Sequence, residues 1–264
     1  MEEMKMNAIS ACARAGRRAA LILLALAIGN DVRAQQTADQ VRSELFAVKQ
    51  VVPGVWAFIV KPRTPGLAVS NTAVIEIGDK VLVVDSHLTP SAAREAARLI
   101  AAITGNKSVR YLVNTHWHPD HVQGNSTYSS AFPAAIDIIA HINTRRDILA
   151  LEIPFLKDQK QLLPRQIADI KSQLAIGKKD GLPFTDAQRR QLEAQLAQGE
   201  ALLKEIETLE ITLPSLTLDR SMSLHAGERE VRILYFGRGH TEGDVVVFLP
   251  KEKVLVTGDL LTNS

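Results

Sequence analysis

Three imidazoles and one carboxylate fall within six residues, in the stretch 116–121 (His-Trp-His-Pro-Asp-His). Imidazole nitrogens and carboxylate oxygens are the ligands that zinc takes in hydrolytic sites. In an extended or turn segment, residues two apart face the same side, so His116 and His118 can bind one metal ion together. Asp120 and His121 then point elsewhere, toward a second metal ion or a water molecule. The spacing predicts a metal site, and the alternative is a group of neighbouring surface residues.

The stretch resembles the His-x-His-x-Asp-His signature of the metallo-β-lactamase-fold hydrolases. Three other segments match this family in the same order along the chain: 81–85 (Val-Leu-Val-Val-Asp), 239–244 (Gly-His-Thr-Glu-Gly-Asp) and 257–259 (Thr-Gly-Asp). The resemblance runs from about residue 50 to the last residue. It implies an α/β (α+β) fold, the αββα metallo-β-lactamase sandwich.

The resemblance also implies two zinc ions, Zn²⁺, per chain. His116, His118 and His240 would form a tetrahedral site with one position open for water. Without the rest of the family pattern, His240 could also be interpreted as a surface histidine or one that caps a helix. The only cysteine, Cys12, belongs to a predicted leader, so no thiolate is expected to bind metal.

A second zinc ion would take Asp120 and His121, with Asp259 bridging both ions. Asp120 would be the catalytic residue that orients the attacking water and passes on its proton. Asp85 would support the metal-bound histidines from behind. The sequence supports equally well an alternative in which Asp85 only ends a strand in a turn and has no role at the metal site.

These residues predict a zinc-dependent hydrolase that uses a metal-activated hydroxide on an ester, thioester, lactone or related bond. In the family, an aspartate at the place of Asp259 goes with thioesterases, lactonases, phosphodiesterases and sulfatases. A metallo-β-lactamase in the narrow sense, which has cysteine or a non-ligand there, is the second hypothesis. A metal-binding remnant without turnover is the third, and a mononuclear iron dioxygenase of the same fold is the fourth.

One departure from the family concerns the last metal ligand. The family carries a further histidine on a strand after the bridging aspartate and then another helix, whereas this sequence stops at Ser264. The resemblance therefore predicts a C-terminally truncated domain that lacks its last strand and helix. His87 could replace the missing ligand, although a surface or supporting role fits it better. His141 and His225 are the remaining histidines.

The N-terminus predicts export. Three arginines precede the apolar run 19–28, and a small-residue site ends at Ala34, which is the pattern of a cleaved signal peptide. The run is too short to span a bilayer, and a retained anchor is the alternative. Residues 1–34 hold five basic and three acidic residues, so the chain's net charge of +2 belongs to this leader. We expect a periplasmic or secreted protein with a small-molecule substrate and no nucleic-acid or membrane partner. Its oligomeric state is left open.

The remaining pattern predicts a domain over residues 35–264. Residues 35–50 favour a helix or loose arm, and 72–77 with 80–85 favour a hairpin at Gly78-Asp79. Thr89 and Pro90 open a helix that runs through Ile103 and is ended by Gly105-Asn106. Residues 143–210 predict an inserted helical hairpin, with prolines 154 and 164 interrupting its first part and a capping box at Thr185-x-x-Gln188. Further strands are predicted at 51–60, 109–114, 230–236, 244–249 and 253–257.

Overall fold

The computed structural model describes residues 41–61, 70–179 and 182–262. The predicted leader, residues 1–34, lies outside the described residues, and export therefore stays a prediction. The fold described below is that of the unit Ser43–Ser264. Within the described ranges, no helix combines the length and the apolar character needed to cross a bilayer.

The elements follow one another in a mixed order of strands and helices. The first half contains β1 (Phe46–Val52), β2 (Val55–Val60), β3 (Thr72–Ile77), β4 (Lys80–Val84), α1 (Pro90–Thr104), β5 (Ser108–Val113), α2 (Pro119–Val122), α3 (Asn125–Ala131), β6 (Asp137–His141) and α4 (Ile142–Asp147). A π-helical turn (Ile148–Glu152) then leads into α5 (Ile153–Ile176), β7 (Lys178–Lys179), β8 (Leu182–Pro183) and α6 (Asp186–Ile206). The chain continues through β9 (Leu216–Leu218), β10 (Ser221–Ala226), β11 (Arg229–Tyr235), β12 (Val245–Leu249), β13 (Val254–Val256) and a 3₁₀ turn (Gly258–Leu260).

Two sheets form the centre of the fold. The larger has the strand order β1-β2-β3-β4-β5-β6-β9, antiparallel from β1 to β4 and parallel from β4 to β9. The smaller is the antiparallel meander β10-β11-β12-β13. The sandwich of mixed strands and helices agrees with the α/β (α+β) class that the sequence predicts.

Strand β4 shows how the core is layered. Successive side chains of a strand face opposite sides of the sheet. Val81 and Val83 pack with α1, whereas Leu82 and Val84 pack toward the second sheet. Both faces of β4 are thus buried, which explains why its sequence is a continuous apolar run rather than an alternating one.

Helix α1 begins and ends at the residues that the sequence predicts. The side chain of Thr89 accepts a hydrogen bond from the backbone N–H of Ala92, and Pro90 occupies the first turn, where its missing N–H costs nothing. Gly105 ends the helix at φ +65°, and its N–H bonds the carbonyl of Ala101. The predicted hairpin of β3 and β4 is also confirmed.

The long helices α5 and α6 form an antiparallel hairpin beside the sheets. The predicted capping box is present, since Thr185 accepts from the N–H of Gln188 and the Gln188 side chain accepts from the N–H of Thr185. The prediction of an interruption at Pro164 is wrong, because α5 continues through it. Pro164 is exposed, and its missing N–H removes only the one helical hydrogen bond to the carbonyl of Lys160.

Several strands differ from the sequence prediction. Residues 46–50 belong to β1 rather than to an arm or helix, because they pair with β2 residue by residue. Strands β6, β9 and β10 were not predicted. β10 has alternating exposed and half-buried residues and gains its order from the six residue pairs that it makes with β11.

The parallel strands place the functional residues at one edge of the large sheet. The chain leaves β4 at Asp85 and β5 at Asn114, and the N–H of Asp85 bonds the carbonyl of Val113. The second sheet reaches the same place, because the N–H of Val245 bonds the carbonyl of Thr115. In α/β sheets, sites lie at the carboxyl ends of the parallel strands.

Candidate metal centre

Three histidine rings converge at this edge. The Nδ1 atom of His118 lies 3.1 Å from Nε2 of His116 and 3.0 Å from Nε2 of His240. These rings are called the imidazole cluster below. His116 is fully buried, whereas the side chain of His240 is 39% exposed. The imidazole cluster is therefore buried at His116 and open to solvent at His240.

Local structure fixes each of these rings. His116 and His118 lie in the short segment between β5 and α2, and His118 is extended at the start of α2. The indole of Trp117 meets the ring of His118 edge-on, with the ring centres 4.5 Å apart. Contacts of this kind limit the rotation of His118.

His240 lies in the turn between β11 and β12, where two glycines allow close packing. A Cβ atom on Gly239 would lie 2.4 Å from Cδ2 of Leu260, and one on Gly243 would lie 2.6 Å from the backbone N of Thr144. Asp244 closes the turn by accepting a hydrogen bond from the N–H of Thr241. Gly243 is thus needed for the turn to approach the backbone of α4, whereas at Gly239 the Leu260 side chain could move aside.

Carboxylates form a second group beside the rings. His121 Nε2 lies 3.3 Å from Oδ2 of Asp120 and 3.5 Å from Oδ1 of Asp259. Asp120 and His121 are called the carboxylate cluster below. Asp259 stands between the two clusters, because its Oδ2 atom is 3.8 Å from Nε2 of both His116 and His240.

Asp85 holds His121 from behind. Its Oδ2 atom is 2.9 Å from Nδ1 of His121, and the carboxylate also accepts bonds from the N–H and the hydroxyl of Thr115. The Thr115 hydroxyl lies 3.1 Å from Nδ1 of His116 as well. Asp85 has φ +66°, a conformation that Asp tolerates better than most residues. The Asp85 carboxylate and the Thr115 hydroxyl together orient one ring in each cluster.

Burial and neighbouring charges give the rings different protonation states. Burial lowers the pKa of His116 to about 3, and the nearby His121 charge adds to this effect. Burial and His240 lower the pKa of His118. Burial also opposes the charged form of His121, but Asp85, Asp120 and Asp259 outweigh it and raise its pKa to about 12. In the metal-free protein at neutral pH, the first two rings are neutral and His121 carries a proton.

The carboxylates stay ionised. The neighbouring His121 lowers the pKa of Asp259 to about 2, against the opposing effect of burial. Burial works against ionisation of Asp120, but the His121 contact prevails and lowers its pKa. Both groups can therefore offer oxygen atoms to a cation.

The donor atoms fit a zinc ion. His116, His118, His240 and Asp259 each offer one ligand atom, and all four atoms lie within 4.8 Å of one another. Two atoms bound tetrahedrally to zinc at about 2.0–2.1 Å are themselves roughly 3.3 Å apart, which is close to the observed separations of the ring nitrogens. His121 Nε2 is buried and has no hydrogen-bond partner among the described residues, although two carboxylates face it. Such an atom is suited to a metal bond.

The six residues predicted as ligands are thus brought together, and Asp85 contacts one of them, His121. The occupancy of the site by one or two zinc ions stays a prediction. His87 is placed elsewhere, since its ring nitrogens lie 3.0 Å from the Ser70 carbonyl and the Thr72 hydroxyl. His141 stacks on Tyr235, and neither His141 nor the exposed His225 belongs to the group of possible ligands. Thr115 and Trp117 are contacts to which the sequence assigned no role.

Comparisons with known proteins bear on the family. The model of the Metallo-beta-lactamase superfamily matches residues 65–264. A Metallo-beta-lactamase type 2 from Elizabethkingia meningoseptica is 44% identical over 45 residues, which are 17% of this chain and 18% of that relative. The matched part thus spans less than a fifth of the relative's length.

Two solved structures with low sequence identity are also similar. A metallo-beta-lactamase from Pontibacter korlensis has a TM-score of 0.49 at 16% identity, and covers 80% of this chain and 69% of its own. The stereoselective inverting sec-alkylsulfatase from a Pseudomonas species has a TM-score of 0.50 at 19% identity, over 80% of this chain and 30% of its own. Because the family model matches most of the sequence, the chain belongs to the Metallo-beta-lactamase superfamily.

Proposed function

We propose that the protein is a zinc-dependent hydrolase of an ester, thioester, lactone or related bond in a small molecule. The observation that carries this proposal is the convergence of His116, His118 and His240 with Asp259, within 4.8 Å. Neutral imidazoles that face one another across 3.0–3.1 Å cannot all satisfy their lone pairs with protons, whereas a shared cation satisfies them together.

The residues divide the work between binding and proton handling. Zinc, when bound, would supply Lewis acidity and would lower the pKa of a water molecule to about 7. His116, His118 and His240 would hold this ion, and Asp120, His121 and Asp259 would hold a second one. The partial exposure of His240 and Asp259 leaves room for a substrate carbonyl to approach from solvent.

Asp120 is the proposed catalytic residue. Its carboxylate is ionised and stands 3.3 Å from Nε2 of His121, the other member of the carboxylate cluster. The Ser70 hydroxyl bonds its backbone carbonyl, so the residue is held in place on the side facing β3. From this position an Oδ atom can accept a proton from the attacking water and return it to the leaving group.

Hydrolysis of β-lactams is a second candidate. It is favoured by the 45-residue match to a Metallo-beta-lactamase type 2. Against it stands Asp259, because the resemblance associates an aspartate here with thioesterases, lactonases, phosphodiesterases and sulfatases. A metal-binding protein without turnover and an iron dioxygenase are the remaining alternatives, and the experiment below separates all four.

We also propose that the protein acts in the periplasm or outside the cell. The support is the basic and apolar pattern of residues 1–34, with cleavage after Ala34. N-terminal sequencing of the protein recovered from the periplasm would give Gln35 as the first residue. An N-terminus at Met1 in the cytoplasm would contradict export.

Metal analysis combined with a substrate screen tests the function. The purified protein is assayed for zinc and iron and offered model thioesters, lactones, aryl esters and a chromogenic cephalosporin, beside the variant His118→Ala. We expect about two zinc ions per chain, turnover of an ester-type substrate and loss of that turnover in the variant. Preferred cleavage of the cephalosporin supports the second candidate. Zinc without turnover, bound iron with oxygen uptake, or full activity of His118→Ala would each contradict the proposal.

A further inference from the structure

A buried glutamate lies behind the metal ligands, in the π-helical turn Ile148–Glu152. Glu152 is fully buried, whereas its neighbours Leu149 and Leu151 are 45% and 47% exposed. This reverses the usual preference, since glutamate is almost never fully buried without a partner. Turns of π-helix are uncommon and occur frequently at functional sites. A specific contact must therefore keep this carboxyl group inside.

That contact is the side chain of Gln123. The amide Nε2 of Gln123 donates to Oε1 of Glu152 at 2.8 Å, and Gln123 is itself fully buried. Gln123 ends helix α2, and its backbone N–H bonds the carbonyl of Pro119. Helix α2 in turn contains Asp120 and His121. The carboxyl group is thus connected to two proposed metal ligands through one side chain and one short helix.

The chemistry of the pair suits a neutral carboxylic acid. Among the described residues, Oε2 of Glu152 and Oε1 of Gln123 both lack a hydrogen-bond partner. An acid facing an amide can form two bonds, because its O–H donates to the amide oxygen while the amide N–H donates to its carbonyl. Burial raises the pKa of Glu152 to about 7, the Gln123 bond opposes this, and the Asp120 charge adds to it.

Helix α2 together with Gln123, residues 119–123, is called the metal-ligand loop below, and it is anchored from several parts of the molecule. The carbonyl of His121 accepts bonds from the side chain of Asn114 and the backbone N–H of Ser86, which belong to the large sheet's edge. The remaining contact is made by Glu152, which precedes the long helix α5 and accepts the hydrogen bond of Gln123. The helical hairpin therefore has a buried polar connection to the metal-ligand loop.

We propose that Glu152 is a positioning residue, which fixes the loop 119–123 to the base of the helical hairpin through Gln123. Its effect on zinc binding rests on the proposed function, whereas its effect on the loop does not. A polar group that supports metal ligands from behind typically contributes 10–100-fold, roughly, to metal affinity. Glu152 acts in this way without touching the metal or the substrate.

Three variants test the proposal. Glu152→Leu removes the acceptor of Gln123 at similar volume. Glu152→Gln keeps an oxygen for the Gln123 amide and offers an N–H to its unpartnered oxygen. Leu156→Ala is the matched control, because Leu156 is buried one turn further along α5 in the cluster with Ile206 and Leu209.

Two quantities are measured, backbone hydrogen exchange of residues 120–123 in zinc-free protein and Zn²⁺ affinity by competition with a chelator. We expect Glu152→Leu to speed exchange in the loop at least about tenfold and to weaken zinc binding roughly 10–100-fold. Glu152→Gln should restore both to within about threefold of wild type. Leu156→Ala should lower the unfolding temperature and leave both quantities unchanged.

Unchanged loop exchange in Glu152→Leu, or equal damage by Glu152→Gln and Glu152→Leu, would overturn the proposal. If Glu152→Leu does not fold, Gln123→Met removes the same hydrogen bond from the other side and must give the same faster exchange. A wild-type protein that binds no zinc would refute the proposed function. The exchange measurement would still decide on Glu152, since it needs no metal.

Discussion

In the metal-free protein, the histidines of the imidazole cluster and the histidine of the carboxylate cluster differ in protonation state. In the first, burial holds His116 and His118 neutral, so ring lone pairs are available at neutral pH. In the second, His121 keeps a proton because Asp85, Asp120 and Asp259 surround it. A cation can enter the first cluster directly. It can enter the second only by displacing a proton, so the two sites should differ in affinity and in pH dependence.

Removal of the shared carboxylate should affect both clusters most strongly. Asp259→Asn takes away the charge that lies between them, 3.5 Å from His121 and 3.8 Å from His116 and His240. We expect loss of at least one zinc ion and a fall in turnover on the order of 1,000-fold, the equivalent of several kcal/mol of transition-state stabilisation. Metal analysis and kcat measure these effects. Asp158→Asn, on the exposed face of α5, is the control, and equal zinc content in both variants would argue against a bridging role.

Replacement of Asp85, the carboxylate that contacts His121, should weaken zinc binding at the carboxylate cluster more than at the imidazole cluster. Asp85→Asn keeps the shape and tolerates φ +66°, but it removes the negative charge facing Nδ1 of His121. We expect the second zinc ion to bind about 10–100-fold more weakly and the first to change by less than about threefold. Stepwise zinc titration against a chelator gives both constants. Equal weakening of the two steps would remove the distinction between the clusters.

The number of protons released on zinc binding should also differ between the two clusters, although this effect is smaller. His121 has its pKa raised to about 12, so it is protonated at pH 7 without metal and must lose that proton to bind zinc. The affinity of the carboxylate cluster should therefore fall as the pH falls, by about tenfold per pH unit near neutrality. Calorimetry in two buffers of different ionisation enthalpy should give about one more proton for the second zinc ion than for the first. Equal proton release would contradict the assigned protonation states.

Local sequence signals predicted the elements whose ends carry their own chemistry. Thr89, Pro90 and Gly105 bound α1, and Thr185 with Gln188 starts α6. Strands that depend on a distant partner were missed, as in the three-residue β9, whose Leu216 pairs in parallel with Ile139 of β6. Propensity cannot supply a partner that is remote in the chain.

Local sequence also predicted only part of the candidate site. The spacing of His116 and His118 indicated a metal site by itself, while the placing of His240 and Asp259 beside them came from the family resemblance. Glu152 gave no signal, because a glutamate among leucines in a helical segment is expected to face solvent. Its burial follows from the π-helical turn and from Gln123, which only the tertiary structure brings together.

Anomalous diffraction from crystals soaked in zinc is the most direct measurement of the central claim. We predict a zinc peak bonded to Nε2 of His116, Nδ1 of His118 and Nε2 of His240, each at roughly 2.0–2.1 Å. A peak located elsewhere, or no peak among these three nitrogens at saturating zinc, would contradict it.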